Sequence, residues 1–333
     1  MIYFLGIDVS KSTLDLAVVK EGEVIKEHQI ENEKGSLNLF LKDLKASLGL
    51  TFEQLTVCME HTGIYGYKAL EALHRHKIKI CLEPALQIKQ SQGMTRGKND
   101  QVDAKRIALY AYKNRGQLSF WQPQRLVFQK LQAILSLRER LINAKTQLEV
   151  PLQESVGFVE VPILKSLKSA TQPIVATIKK ELKKLEAQLK KLVDEDMVIK
   201  TQFAHATSVP GIGKITALNM IIRTDGFERI KEAKQFACYA GVAPFKHQSG
   251  SSIRGKTRVS RLANMTMKKL LHLAAMAAIK SSEELQLFYR RKVALGKNKM
   301  SVINAVRNKL ISRVFACVKE HRNYEKIYQH ALA

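Results

Sequence analysis

At 333 residues the chain is long enough for two or three domains, each with its own core. Lysine and arginine number 55 against 30 acids, a net charge of +25, and residues 201–333 alone hold 24 basic and 7 acidic side chains. That asymmetry points to a polyanion partner, most simply nucleic acid, while the lack of any apolar run of about 18 residues excludes a membrane-spanning helix. Three short β-rich runs open the chain, Tyr3–Val9, Leu14–Lys20 and Val24–Ile30, separated by tight polar turns. A helical pattern follows over residues 35–48, then a strand over Leu55–Glu60, a helix over 67–76, a strand over Lys79–Glu83 and a helix over 103–113.

Three strands in hairpin succession followed by β-α units is the order of an RNase H-like fold. In that fold the first and fourth strands lie side by side. Asp8, in Gly6-Ile7-Asp8-Val9-Ser10-Lys11, and Glu60, in Cys58-Met59-Glu60-His61-Thr62-Gly63, close those two runs and are expected to be neighbours. Asp100 and Asp103, in Lys98-Asn99-Asp100-Gln101-Val102-Asp103-Ala104-Lys105, sit at the start of the last helical pattern. Four converging acids repel unless a cation lies between them. Oxygen ligands of this kind suit Mg²⁺ or Mn²⁺, and with such a metal comes phosphoryl-transfer chemistry. Asp15 and Glu83 are weaker candidates for the same cluster.

Residues 121–200 change character. Ile174, Ile178, Leu182, Leu185, Leu189 and Leu192 recur at spacings of four and three, with Lys179, Lys180, Lys183, Lys184, Lys190 and Lys191 between them. The spacing predicts a heptad-like helix with residues 126–148 as its antiparallel partner, and Pro151, Pro162 and Pro173 are expected to break the connection. Such a helical coiled-coil hairpin serves equally as a spacer or as a dimerisation arm.

Residues 201–333 read as mostly helical. Ser208-Val209-Pro210-Gly211-Ile212-Gly213-Lys214, followed by an apolar helix, has the form of a helix-hairpin-helix turn. Gly211 and Gly213 permit tight backbone, and the amides of the next helix, with Lys214, can hold a DNA phosphate. Farther on, Gln248-Ser249-Gly250-Ser251-Ser252 precedes the basic run Arg254-Gly255-Lys256-Thr257-Arg258-Val259-Ser260-Arg261. A serine flanked by glycine in a loop dense with cations has what a phosphodiester-attacking hydroxyl needs, although the same composition also makes an ordinary flexible loop. The residues alone do not separate Ser249 from Ser251 and Ser252. Met300, Val302, Ile303, Val306, Leu310, Ile311, Val314 and Phe315 form an amphipathic stripe expected to be core. Cys58, Cys81, Cys238 and Cys317 lack any C-x-x-C spacing and read as small core residues in a reducing compartment, and with a strand at the very start the expectation is a cytoplasmic protein.

Four separated motifs, GIDVSKSTLD, MEHTGIYG, KNDQVDAKRIA and YAGVAPFKHQSGSSIRGK, closely resemble the DEDD-type insertion-sequence transposases related to the Piv site-specific DNA invertase. The resemblance implies a RuvC-like domain over 1–120 whose acid set is Asp8, Glu60, Asp100 and Asp103. It also implies a helical coiled-coil region over 121–200 and a transposase domain over 201–333 with Ser249 as nucleophile. It further implies a homo-oligomer, dimer or tetramer, that builds one active site from two subunits, with a structured non-coding guide RNA choosing donor and target double-stranded DNA. Arg254, Lys256, Arg258, Arg261 and Lys268 are the expected phosphate contacts. Where the family usually has Gly-Asn-x-x-Leu-Arg, this chain has Ala263-Asn264-Met265-Thr266-Met267-Lys268, and lysine cannot make a bidentate phosphate contact. Two other readings are a two-metal endonuclease of the junction-resolving type, in which water attacks, and a non-catalytic nucleic-acid scaffold.

Overall fold

The computed structural model describes residues 2–61, 63–91, 100–249, 253–259 and 263–326, with side chains described for all of these except 100–101, 245–249 and 253–258. They form two compact units, residues 1–123 and 124–333.

The first unit is built on a five-stranded sheet, β1 (Tyr3–Val9), β2 (Thr13–Lys20), β3 (Glu23–Glu31), β4 (Leu55–Glu60) and β5 (Lys79–Glu83), in the order β3-β2-β1-β4-β5. Strand β2 is antiparallel to β1 and β3, whereas β1, β4 and β5 run parallel. This is the strand order of an RNase H-like fold. The β2–β3 hairpin turns on Glu21 and Gly22, whose positive φ values of 54° and 92° are what a two-residue hairpin requires. Helices α1 (Lys34–Leu48) and α2 (Tyr67–Arg75) cover one face, where Leu37, Leu41, Leu44 and Leu73 pack on Leu5, Ile7, Val57 and Met59. After α3 (Ala85–Gln90), α4 (Asp100–Lys113) covers the other face, its Ala104, Ile107, Ala108 and Ala111 lying with Phe4, Ala17, Val19, Cys58 and Cys81. Sequence reasoning placed every strand of this sheet within about a residue, began α4 three residues late and missed the short α3 and the 3-10 turns at Phe52–Gln54 and Gly63–Gly66.

In the second unit, α5 (Leu126–Glu154) and α6 (Val161–Asp194) run antiparallel. Arg138 pairs with Glu186 near one end and Lys179 with Glu149 nearer the other. Pro151 and Pro173 do not interrupt them, contrary to expectation. Pro162 lies in the first turn of α6, where no amide is needed, whereas Pro151 near the end of α5 and Pro173 within α6 each remove one internal hydrogen bond, which flanking turns absorb. Leu189 and Val193 of α6 pack with Phe128, Leu131 and Leu135 of α5, and Leu185 is buried farther back on α6, while Ile174 is exposed rather than part of a seam. Helices α7 (Met197–Ser208), α8 (Lys214–Thr224), α9 (Ala233–Tyr239), α10 (Met265–Ser281), α11 (Glu283–Ala294) and α12 (Lys299–Lys319) follow. The stripe on α12 is core as expected apart from Met300, which is exposed: Val306, Leu310, Ile311 and Val314 pack with Leu271 and Ala275 of α10 and Phe236 of α9. The basic stretch predicted as a loop is instead a two-stranded hairpin, β6 (Pro244–Ser249) and β7 (Ile253–Val259). Cys58, Cys81 and Cys317 are buried, but Cys238 is exposed on α9 and is not a core residue. No helix among the described residues is long and apolar enough to cross a membrane.

Candidate active site

The acids gather along one edge of the sheet. Parallel pairing of β1 with β4 runs from Tyr3↔Leu55 to Ile7↔Met59, so one residue further brings Asp8 beside Glu60. The same level continues in both directions, with Asp15 of β2 opposite Asp8 and Glu83 of β5 opposite Glu60. Strand alternation fixes the face. Leu5, Ile7, Val57 and Met59 point into the α1–α2 core, so Asp8 and Glu60 belong to the face that α4 covers.

Helix α4 reaches that face because Gly6 has no side chain: a Cβ there would stand 2.2 Å from the Ala104 carbonyl oxygen and 2.4 Å from the Ala108 nitrogen. Phe4 meets Tyr112 edge-on at 5.8 Å between ring centres. Moving along β1 from Phe4 to Gly6 therefore moves back along α4 from Tyr112 to Ala104, and the next step, to Asp8, leads toward the helix's first turn. Asp100 is the first residue of that turn and Asp103 lies three residues on. Acids suit the start of a helix, where unsatisfied amides carry partial positive charge.

Local bonding orients these groups. Asp8 Oδ1 accepts the Val9 amide at 3.0 Å, and Asp103 Oδ1 accepts from Arg106 Nη1 at 2.8 Å. Asp15 is only 2% exposed and accepts from Gln29 Nε2 at 2.9 Å; Glu83 is buried and accepts from the Cys81 thiol at 3.3 Å. Neither has a cationic partner among the described residues. A hydrogen bond with Cys81, then burial, pushes the Cys58 thiol far up, which keeps it protonated and unreactive. Burial, then the Glu83 charge, raises the Tyr110 phenol, which receives a hydrogen bond from Gln87 Nε2 at 2.9 Å.

Among the described residues no three histidine, cysteine, aspartate or glutamate side chains form a ready-made metal cage, and the side chain of Asp100 lies outside them. The donors placed along this edge are nevertheless all carboxylate oxygens on the α4 side of the sheet. That set fits a hard divalent cation and would not suit a soft one.

The second group of predicted residues lies in the second unit. Ser249 is the last residue of β6 and pairs with Ile253, while Arg254 pairs with Gln248 and Arg258 with Phe245; Lys256 stands between them on β7. The side chains of these residues, Arg261, Ser251 and Ser252 lie outside the described set. The hairpin's two roots are tied down. Asn304 Nδ2 donates to the Val242 carbonyl at 2.7 Å, and Asn264 donates its backbone amide and its Nδ2 to Tyr239, at 2.8 and 2.9 Å. Lys268 is half-buried in the first turn of α10. Gly211 has φ of 88° and packs against Ala274 and Ala278, whereas Gly213 caps the open N-terminus of α8 with Lys214 exposed beside it. Sequence reasoning took α12 as pure core and missed Arg307, which is buried there with Asn304 and His272 around it.

The family model of the IS110-type DEDD transposases matches residues 5–156, and that of the transposase IS116/IS110/IS902 family matches residues 204–290. The chain belongs to the IS110 family of DEDD transposases. It is 26% identical over 330 residues to the pilin gene-inverting protein of Moraxella bovis, covering 97% of this chain and 98% of that protein. A transposase for insertion sequence element IS1111A from Coxiella burnetii is 25% identical over 210 residues, 55% of each chain. Thermus thermophilus RuvC, solved in complex with a Holliday junction substrate, matches 36% of this chain and 100% of its own at 16% identity and a TM-score of 0.29. This transposase is therefore a DNA-transposing or recombining enzyme, and a DEDD site of this kind implies a divalent metal.

Proposed function

We propose that the transposase is a serine recombinase that cuts and rejoins donor and target double-stranded DNA through a covalent phosphoserine. The observation that carries this reading is the position of Ser249 at the end of a β-hairpin strand, followed by glycine, with Arg254, Lys256 and Arg258 on the returning strand. Ser249 Oγ attacks the phosphorus of a phosphodiester; the bond from phosphorus to the deoxyribose oxygen breaks, and the hydroxyl proton leaves with that oxygen. Attack by a strand-end hydroxyl of the partner duplex reverses the step and frees the serine. Because a phosphoester is present throughout, no nucleotide triphosphate is consumed.

Asp8, Glu60, Asp100 and Asp103 would hold Mg²⁺ or Mn²⁺, which when bound neutralises charge developing on the phosphate. Arg254, Lys256, Arg258, Arg261 and Lys268 bind the backbone, and the α7–α8 turn acts as a helix-hairpin-helix, with Gly211, Gly213 and Lys214 at a phosphate. In this reading residues 1–120, 121–200 and 201–333 act as RuvC-like, coiled-coil and transposase domains. The protein works in the cytoplasm as a dimer or tetramer, bringing the acids of one subunit to the serine of another, and a structured non-coding RNA selects the DNA. The lysines on the exposed face of α6 suit either nucleic acid.

Trapping tests the reading. A suicide DNA substrate leaves protein attached through Ser249, and Ser249→Ala abolishes the adduct; an alanine variant that still cleaves at the parental rate shows that water is the nucleophile. RNA co-purifying with the expressed protein tests the guide.

A further inference from the structure

Arg307 of α12 is 6% exposed, and its Nε has no hydrogen-bond partner among the described residues. Its Nη2 donates to His272 Nδ1 of α10 and its Nη1 to Asn304 Oδ1 at 3.4 Å. Neither acceptor is charged, and no carboxylate pairs with it among the described residues. A guanidinium cannot accept a hydrogen bond, so His272 must present a bare Nδ1 and carry its proton on Nε2. Burial, then the nearby Arg307 charge, holds that imidazole below its ordinary value and so neutral. Burying a cation without a counter-charge costs several kcal/mol, and folded proteins rarely carry that cost without a use for the charge.

Position supplies the use. Asn304 and His272 are only half-buried, which leaves the guanidinium one side chain below the surface between α10 and α12. Asn304 also donates to Val242, two residues before β6, so the network sits at the root of the hairpin that carries Ser249. Lys268 lies one turn before His272 on the same side of α10, adding a second cation.

We propose that Arg307, with His272 and Asn304, forms a phosphodiester-binding subsite for duplex DNA at the hairpin root. Guanidinium and phosphate match as a fork on two oxygens, and the free Nε supplies one of the donors. His272 Nε2–H and Asn304 border the entry, and an arriving phosphate replaces the missing counter-charge.

The test is the salt dependence of duplex binding by the full chain, read as the slope of log affinity against log salt concentration. Arg307→Gln is expected to reduce that slope by about 0.9, the release of one phosphate's counterions, and to weaken binding several-fold whatever the DNA sequence. An unchanged slope in a folded Arg307→Gln protein overturns the proposal, as does a change confined to RNA. Should that variant fail to fold, Arg307→Lys decides: it keeps the charge but loses the fork, so threefold or greater weakening with the slope retained supports the subsite, and parental affinity overturns it. Equilibrium binding is measured without cleavage, so the outcome is independent of whether Ser249 forms an adduct.

Discussion

Replacing Gly6 by alanine tests how α4 brings its acids to the sheet. The added Cβ would lie 2.2 Å from the Ala104 carbonyl oxygen, 2.4 Å from the Ala108 nitrogen and 2.9 Å from the Ala108 Cβ. Ordinary contact is about 3.5 Å, so the helix must retreat by roughly 1 Å. Two of the three obstructing atoms are backbone, which no rotamer change can move aside. Overpacking of this kind costs about 1–3 kcal/mol, and a backbone clash belongs at the upper end. At about 4 °C per kcal/mol for a unit of this size, the first unit should melt roughly 10 °C lower. Displacing Asp100 and Asp103 by about 1 Å from Asp8 and Glu60 should slow strand cleavage on the order of 100-fold. Thermal unfolding and cleavage of a supercoiled substrate measure the two effects. Duplex affinity, which the proposed reading assigns mainly to the basic second unit, should change less than about twofold. A Gly6→Ala protein that melts within 2 °C of the parent, on the ~4 °C per kcal/mol scale used above, and cleaves normally would refute the seating of α4 on β1.

Gly211→Ala should cost about 3 kcal/mol, because it combines a φ of 88° with a Cβ 2.5 Å from the Ala274 oxygen and the Ala278 Cβ; differential scanning calorimetry checks this. Cys58 has a raised pKa in the fold, so above its ordinary value of 9.0 the unfolded chain loses a proton that the folded chain keeps. Stability is therefore full below pH 9.0 and falls above it, by up to about 1.4 kcal/mol per pH unit, and Cys58→Ala should flatten that decline in alkaline denaturant titrations. Saturating Mn²⁺, at about 100 times its dissociation constant, should stabilise the first unit by about 2.7 kcal/mol. Asp8→Asn should remove most of that gain, and an equal thermal shift in the variant would place the ion elsewhere.

The acid edge was legible in the sequence because two of its members close apolar runs, and a parallel pair of strands carries that information into space almost unchanged. Asp8 and Glu60 needed only the strand order to become neighbours. The approach of α4 was not legible, since it depends on one missing side chain, Gly6, meeting Ala104 and Ala108 a hundred residues away. Pro173 was misleading for a different reason: lost backbone hydrogen bonding in a helix of 34 residues is a local cost that the remaining turns outweigh. The β6–β7 hairpin escaped notice because its strands are mostly polar, with Phe245, Ile253 and Val259 too widely spaced to make the alternation by which a strand is recognised. Arg307 was hidden by its neighbours Val306, Leu310 and Ile311, whose spacing reports which face of α12 is buried but not that a cation is buried with it.

The two units follow one physical logic with opposite signs. In the first, Asp15 and Glu83 are buried beside Asp8 and Glu60, and among the described residues an amide and a thiol donate to them, so four acids stand close together along one edge of the sheet. In the second, Arg307 is buried against a neutral imidazole and an amide. Hydrophobic cores on either side hold each charge in place, so neither arrangement relaxes by turning its side chains into water. On the proposed reading, a divalent cation would offset the first charge and a DNA phosphate the second. On that reading the free protein would be less stable than its sequence could make it, and the difference would be returned on binding metal and DNA. Substitutions that neutralise these charges, such as Glu83→Gln or Arg307→Gln, should for that reason stabilise the free protein or leave it unchanged while weakening its hold on metal or DNA. A side chain that serves packing alone gives the opposite pattern, because its loss lowers stability first and affinity only as a consequence.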